Sequence, residues 1–195
     1  MLKDYRIRAA IILLAAALIG GTALLVSWLR SPESAGALIG GPFVLTDQTG
    51  RQVTEQDFRG KLMLIYFGFV FCPDACPTAL TNMTDAIEQL GSAGEDVVPV
   101  FITVDPERDT QEVMQGYAEA FHPRLKALRG TPEQTAAVAK AYRIYFKKAA
   151  ETAPGEYLVD HSSIVFLMGR DGRYLTHFTH MTLPEPMAAE IKKRL

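Results

Sequence analysis

Cysteine is nearly absent from this sequence. Its 195 residues hold two, Cys72 and Cys76, separated by three positions. So few, placed so close, exclude a scaffold stapled by bridges between distant segments, and leave a pair whose use is chemical. A large excess of charge of one sign is missing as well. The formal net charge is −2, and the one basic run is the short Lys192-Lys193-Arg194, which reads as favourable charge at a helix end. A nucleic-acid partner is therefore not expected. There are no internal repeats, and no proline occurs between Pro154 and Pro184.

What is present begins with one long uncharged run, the 21 residues from Ala9 to Leu29. As a helix it would be about 30 Å long, roughly the hydrocarbon thickness of a bilayer. Signal-peptide apolar cores run to about 7–15 residues, so a membrane anchor is the better reading, although Ala35-Gly36-Ala37 offers a small-residue cleavage site. The run also lacks the polar face of a core helix. Lys3, Arg6 and Arg8 precede it against Asp4, and only Arg30 and Glu33 follow. The positive-inside rule then keeps the amino terminus in the cytoplasm and sends the rest across the membrane. The expected organisation is a short cytoplasmic N-terminus and single-pass transmembrane anchor over 1–30 and a flexible Gly/Ala/Ser-rich linker over 31–41. A domain over 42–195 follows, periplasmic on a bacterial inner membrane.

Within that domain, Phe43 to Thr46 and Arg51 to Thr54 read as two short strands around a turn. Leu62 to Phe67 is continuously apolar, as in a strand buried on both faces, and Leu80, Met83, Ile87 and Leu90 then recur at helical spacing. Val97 to Val104 is a second buried strand. Asp109-x-x-Glu112 resembles a capping box that opens a helix reaching Phe121, and Thr131-Pro132-Glu133-Gln134 opens another ending near Tyr142. Strands are expected near 143–147, 163–168 and 173–178, and a last helix from Glu185. This order predicts an α/β fold: a central mixed sheet, parallel in the middle and antiparallel at one edge, flanked by helices and preceded by a β-hairpin. Ligands in such sheets collect at the carboxyl ends of strands, where Cys72 and Asp105 fall. A core strand handing a thiol to a helix start is the thioredoxin-like arrangement.

Two thiols at a helix start can close a disulfide or hold one soft metal ion, and the helix dipole favours the thiolate that both uses need. Pro73 and Pro77 flank the pair. The tie is broken by His161, in Val159-Asp160-His161-Ser162-Ser163. It stands in the polar turn where a thioredoxin carries the proline that faces its cysteines. Two sulfurs and one ring nitrogen suit copper. His122, before Pro123, reads as a surface residue, and His177 and His180 should point to opposite faces of a strand. Asp74, Asp105 and Asp160 are candidates to orient His161 or tune the thiolates.

The segments Gly41-Pro42-Phe43, Asp57-Phe58-x-Gly60-Lys61, Tyr66-Phe67-Gly68-Phe69-x-x-Cys72-Pro73-Asp74-x-Cys76-Pro77, Thr103-Val104-Asp105-Pro106 and Asp160-His161-Ser162 together resemble the Sco/SenC family of copper metallochaperones of cytochrome c oxidase assembly. The resemblance implies a thioredoxin-like domain on one membrane anchor and copper, Cu(I) or Cu(II), held by Cys72, Cys76 and His161. It also implies a recipient, the copper-bearing oxidase subunit that builds the CuA centre. Val70-Phe71 departs from the family, which often has threonine beside a small or polar residue there. A Cys72–Cys76 disulfide would switch binding off, so an upstream thiol reductant or copper donor is expected. The competing readings are a metal-independent thiol–disulfide oxidoreductase that uses the same cysteines, and a copper or redox sensor. Peroxiredoxin chemistry would need an activating threonine that Phe69-Val70-Phe71 does not supply.

Overall fold

The computed structural model describes residues 39–195 together with Gly20 and Gly21. The expected anchor over 9–29, and nearly all of the linker, lie outside the described residues. Among the described residues no helix is long and apolar enough to cross a membrane.

The apolar run after Lys61 becomes β3, Leu62–Gly68, with all seven residues buried. It lies at the centre of a five-stranded sheet because both of its faces are apolar. β4, Val97–Thr103, runs parallel to it in the register Leu62↔Val97 through Gly68↔Thr103. β5, Lys126–Leu128, extends the parallel half beyond β4. On the other side β8, Ile164–Met168, pairs antiparallel with β3, and β9, Tyr174–Thr179, pairs antiparallel with β8. The order is β5-β4-β3-β8-β9. A separate hairpin of β1, Val44–Thr46, and β2, Gln52–Thr54, precedes the sheet.

Among the described residues four α-helices flank the sheet: α1, Ala75–Gln89; α2, Gln111–Phe121; α3, Pro132–Ala141; and α4, Pro184–Lys192. Alternation along β3 divides its side chains between two layers. Phe67 packs on Tyr142, just past α3, with ring centroids 5.3 Å apart. Tyr66 and Gly68 point the other way, toward Cys76 at the start of α1. The capping box at Thr131 and Gln134 forms as expected, with Pro132 in the first turn.

Two expectations need correction. Asp109 does not cap α2. Thr110 does, its hydroxyl accepting from Val113 N at 3.4 Å, while the Asp109 side chain turns into the core. Nor is 159–163 simply a turn. Val159–His161 is a strand, β7, paired antiparallel with β6, Phe146–Lys148, so that His161 faces Phe146 across the pair. A three-residue strand with one outward acid, Asp160, is too short for its alternation to stand out from a polar loop.

Candidate metal centre

Cys72 and Cys76 arrive at the centre through β3. After Gly68 the chain turns, with Cys72 N donating to Phe69 O at 3.2 Å, and α1 begins. The amide of Cys76 donates to Cys72 Sγ at 3.4 Å. Cys72 is half-buried; Cys76 is fully buried; both are free thiols. His161, 85 residues onward, ends β7 and places Nε2 3.6 Å from Cys76 Sγ. The two sulfurs and one ring nitrogen all lie within 4.8 Å of one another, the only such group of three or more potential ligands among the described residues. The hairpin β6–β7 lifts the histidine over the carboxyl end of β3, and this juxtaposition was not deducible from spacing alone.

The site is electrostatically asymmetric. The Cys76 side chain, with His161 and the amides of Asp74 and Cys76, holds the Cys72 thiol well below its usual range. The Cys72 side chain and burial push Cys76 the other way. His161 is held edge-on by two rings, Tyr66 at 6.0 Å and Phe69 at 5.8 Å between centroids. Its Nδ1 lies 3.3 Å from the carbonyl oxygen of Ser162, which leaves Nε2 to face the sulfurs.

The three aspartates expected around the site play other parts. Asp74 sits at the N-cap of α1, its carboxylate accepting from Thr78 Oγ1 at 3.4 Å. Asp105 accepts from Tyr157 OH at 2.9 Å and from Arg108 Nε at 2.6 Å. Asp160 is exposed on β7, opposite Lys147. None of the three carboxylates hydrogen-bonds His161 or a cysteine sulfur among the described residues. Asp105 instead anchors Arg108 beside the approach to the thiols. The Arg108 guanidinium lies 3.6 Å over the Tyr157 ring and 5.2 Å from Phe71, bracing the segment after β6 against the loop that carries Cys72. Phe71 is 54% exposed and Leu158 52%; both line an open groove of about 640 Å³ together with Arg108 and Tyr157.

Asp109 is the residue that the sequence reading missed. Its carboxylate accepts from Val70 N at 3.1 Å and from the Thr103 hydroxyl, tying the loop before Cys72 to the end of β4. Burial pushes its pKa up to about 6. Two aspartates following an apolar strand end, in Thr103-Val104-Asp105 and Arg108-Asp109, were the available signal. His122 is likewise buried rather than on the surface, with Nδ1 accepting from Arg124 N at 3.0 Å and Nε2 2.8 Å from Glu88. His177 Nδ1 pairs with Tyr174 OH at 2.6 Å and joins no cluster of potential metal ligands among the described residues.

The model of the SCO1/SenC family matches residues 31–195. The chain belongs to the SCO1/SenC family. Among SCO1/SenC relatives, it is 42% identical to human "Protein SCO1 homolog, mitochondrial" over 156 residues, 79% of this chain and 52% of that one. It thus spans about half the length of that relative. It is 38% identical to a SCO2-like protein of Rickettsia felis over 194 residues, 93% of this chain and 95% of that one. Among solved SCO1/SenC structures, Bradyrhizobium japonicum ScoI with copper bound superposes with a TM-score of 0.75 at 43% identity, over 80% of this chain and 99% of that one. Arabidopsis thaliana ScoI with copper bound gives 0.76 at 41%, over 80% and 97%. The thioredoxin-like α/β fold read from the element order is therefore the fold of the family.

Proposed function

We propose that this SCO1/SenC protein is a membrane-anchored copper metallochaperone that delivers copper to the CuA centre of cytochrome c oxidase during assembly. The observation that carries the reading is the convergence of Cys72 Sγ, Cys76 Sγ and His161 Nε2 within 4.8 Å, a soft donor set suited to copper. Copper-bound relatives of the same fold support it. In this reading copper is cargo. The Cys72 thiolate, half-buried behind exposed Phe71, meets the ion first; Cys76 gives up its proton as it joins, and His161 closes the set. Transfer proceeds by ligand exchange with the recipient, and a Cys72–Cys76 disulfide removes two of the three donors. An anchor over 9–29 would confine the domain to the plane of a membrane-bound partner and raise its effective concentration. In this reading the domain lies on the periplasmic side of a bacterial inner membrane, as the charge around the 9–29 run implies.

A second reading rests on the asymmetry of the thiols. A half-exposed Cys72 thiolate beside a buried Cys76 has the order of attacking and resolving sulfurs in a thiol–disulfide reductase. The two are separated by mixing the detergent-solubilised, copper-loaded chain with the metal-free copper-bearing oxidase subunit. Delivery predicts that the spectrum of a dinuclear copper centre appears in the recipient, and that His161→Ala abolishes it. A recipient that gains its metal equally from His161→Ala, or only ever becomes reduced, would leave the reductase reading standing.

A further inference from the structure

The turn after β3 carries one ligand and leans on another. Phe69 meets the imidazole of His161 edge-on at 5.8 Å, and three residues on stands Cys72. Cys72 N returns to Phe69 O at 3.2 Å, a bond internal to the turn. The tie to the rest of the fold comes from Val70, whose amide donates to Asp109 Oδ2 at 3.1 Å, 39 residues away. That oxygen also accepts from the hydroxyl of Thr103, the last residue of β4, and the hydroxyl in turn accepts from Asp105 N at 2.9 Å. The backbone of Asp109 is held as well. Its amide donates to Asp105 O at 3.0 Å, and its carbonyl accepts from Arg129 Nε at 3.0 Å. Arg129 is itself joined to Thr46 of β1 by a reciprocal backbone pair, at 2.7 and 2.9 Å. Asp109 is fully buried, and its second carboxylate oxygen has no partner among the described residues. A buried acid with one empty oxygen is costly to keep, so the bonds made by the other oxygen call for a function.

We propose that Asp109 is a positioning residue of the metal centre: by holding the Val70 amide it fixes the turn that presents Cys72 and seats the Phe69 ring against His161. Val70 lies between the two, so a shift of its amide moves Phe69 and Cys72 together. The anchor itself is rigid, because the Asp109 backbone is fixed from both sides and Thr103 ends a strand in register with β3 as far as Gly68. One short side chain thus carries the frame of the sheet to a ligand that sits on neither strand nor helix. It acts through the backbone, at one remove from the sulfur. Position and charge separate on substitution: asparagine keeps an oxygen where Val70 needs it and loses the charge, whereas glutamate keeps the charge and moves the oxygen on by one methylene. The role deepens the copper reading and rests on it for what the fixed turn serves; the bond to Val70 stands or falls without metal.

The test compares the full-length chain in detergent as wild type, Asp109→Asn, Asp109→Glu and Val138→Ala, the last a cavity-forming change on the buried face of α3. Without metal, hydrogen exchange at the Val70 amide reads the bond; with metal, chelator competition reads Cu(I) affinity. Asp109→Glu should speed Val70 exchange by about tenfold or more, as loss of a hydrogen bond to a charged group implies, and weaken Cu(I) binding by about 10- to 100-fold. Asp109→Asn should hold both readings much closer to wild type. Val138→Ala should lower Tm and leave Cu(I) affinity unchanged. If Asp109→Glu does not fold, Thr103→Val takes its place; removing the hydroxyl that shares the oxygen should move both readings in the same direction. Asp109→Asn as impaired as Asp109→Glu, a folded Asp109→Glu with wild-type exchange and affinity, or an equal loss of copper in Val138→Ala would overturn the assignment. A wild-type chain that takes up no copper would overturn the proposed function instead, and leave Val70 exchange to decide on Asp109.

Discussion

Gly68 is where the centre is most sensitive to one methyl group. Its ordinary backbone conformation accepts alanine, so the effect of Gly68→Ala is steric. The added carbon would meet Cys76 Sγ at 2.5 Å, Phe101 Cε2 at 3.0 Å and Tyr66 Cε1 at 3.1 Å, all on fully buried side chains. Attractive contact begins near ~3.5 Å, so the sulfur must retreat by about 1 Å. Overpacking of this kind costs about 1–3 kcal/mol, which for a domain of this size lowers Tm by about 3–10 °C. Metal ligation tolerates displacements of about 0.2 Å, so copper should lose the Cys76 ligand altogether. The expected fall in affinity exceeds the roughly 10- to 100-fold that follows loss of an outer partner. Calorimetry of the metal-free chain and chelator competition with Cu(I) read the two effects. Gly116→Ala is the control: nothing lies within 4 Å of its added methyl, and in α2 it should stabilise by up to about 1 kcal/mol. A Gly68→Ala protein with wild-type Tm and wild-type copper affinity would refute the packing described here.

Asp109→Asn should change how stability depends on pH. The folded pKa of Asp109, about 6, lies above the ordinary carboxylate value, so its contribution is complete below about pH 4 and is lost as pH rises through 6. Asparagine has no such loss, so across that window the variant should gain on wild type by about 2–3 kcal/mol in urea denaturation; parallel profiles would contradict the raised pKa. Because the Cys72 thiol is held low by Cys76 and His161, iodoacetamide should alkylate Cys72 at a rate nearly flat between pH 8 and pH 5, where an ordinary thiol loses about tenfold per unit. A rate falling steeply across that range would show that Cys72 is an ordinary thiol. Cys76 retains its proton in that range, so Cu(I) binding at pH 8 should release about one proton, measured by calorimetry in two buffers of different ionisation enthalpy.

Much of this was legible in the residues. Leu62 to Phe67 announced a central strand because a strand covered on both faces leaves no polar positions, and Thr131-Pro132-Glu133-Gln134 announced α3 because cap, proline and N3 partner are local chemistry. Cys72 and Cys76 stood out by rarity. What stayed hidden was non-local. β7 exists because β6 pairs with it, and neither three-residue segment carries a pattern of its own. Asp109 looked like a cap because local spacing cannot reveal that Val70 N and Thr103 compete for its carboxylate. Asp105 and Asp160 were candidates to orient His161 or tune the thiolates, whereas Arg108 and Tyr157 hold Asp105, and Asp160 faces solvent. The imidazole is kept instead by Tyr66, Phe69 and a backbone carbonyl, partners that residue type does not advertise.

The account turns on His161 joining both sulfurs around one ion. X-ray absorption of the Cu(I)-loaded chain tests this most directly. It should give a shell of two sulfurs and one nitrogen in wild type, with the nitrogen missing from His161→Ala. A shell of sulfur alone in wild type, or identical spectra for the two proteins, would contradict it.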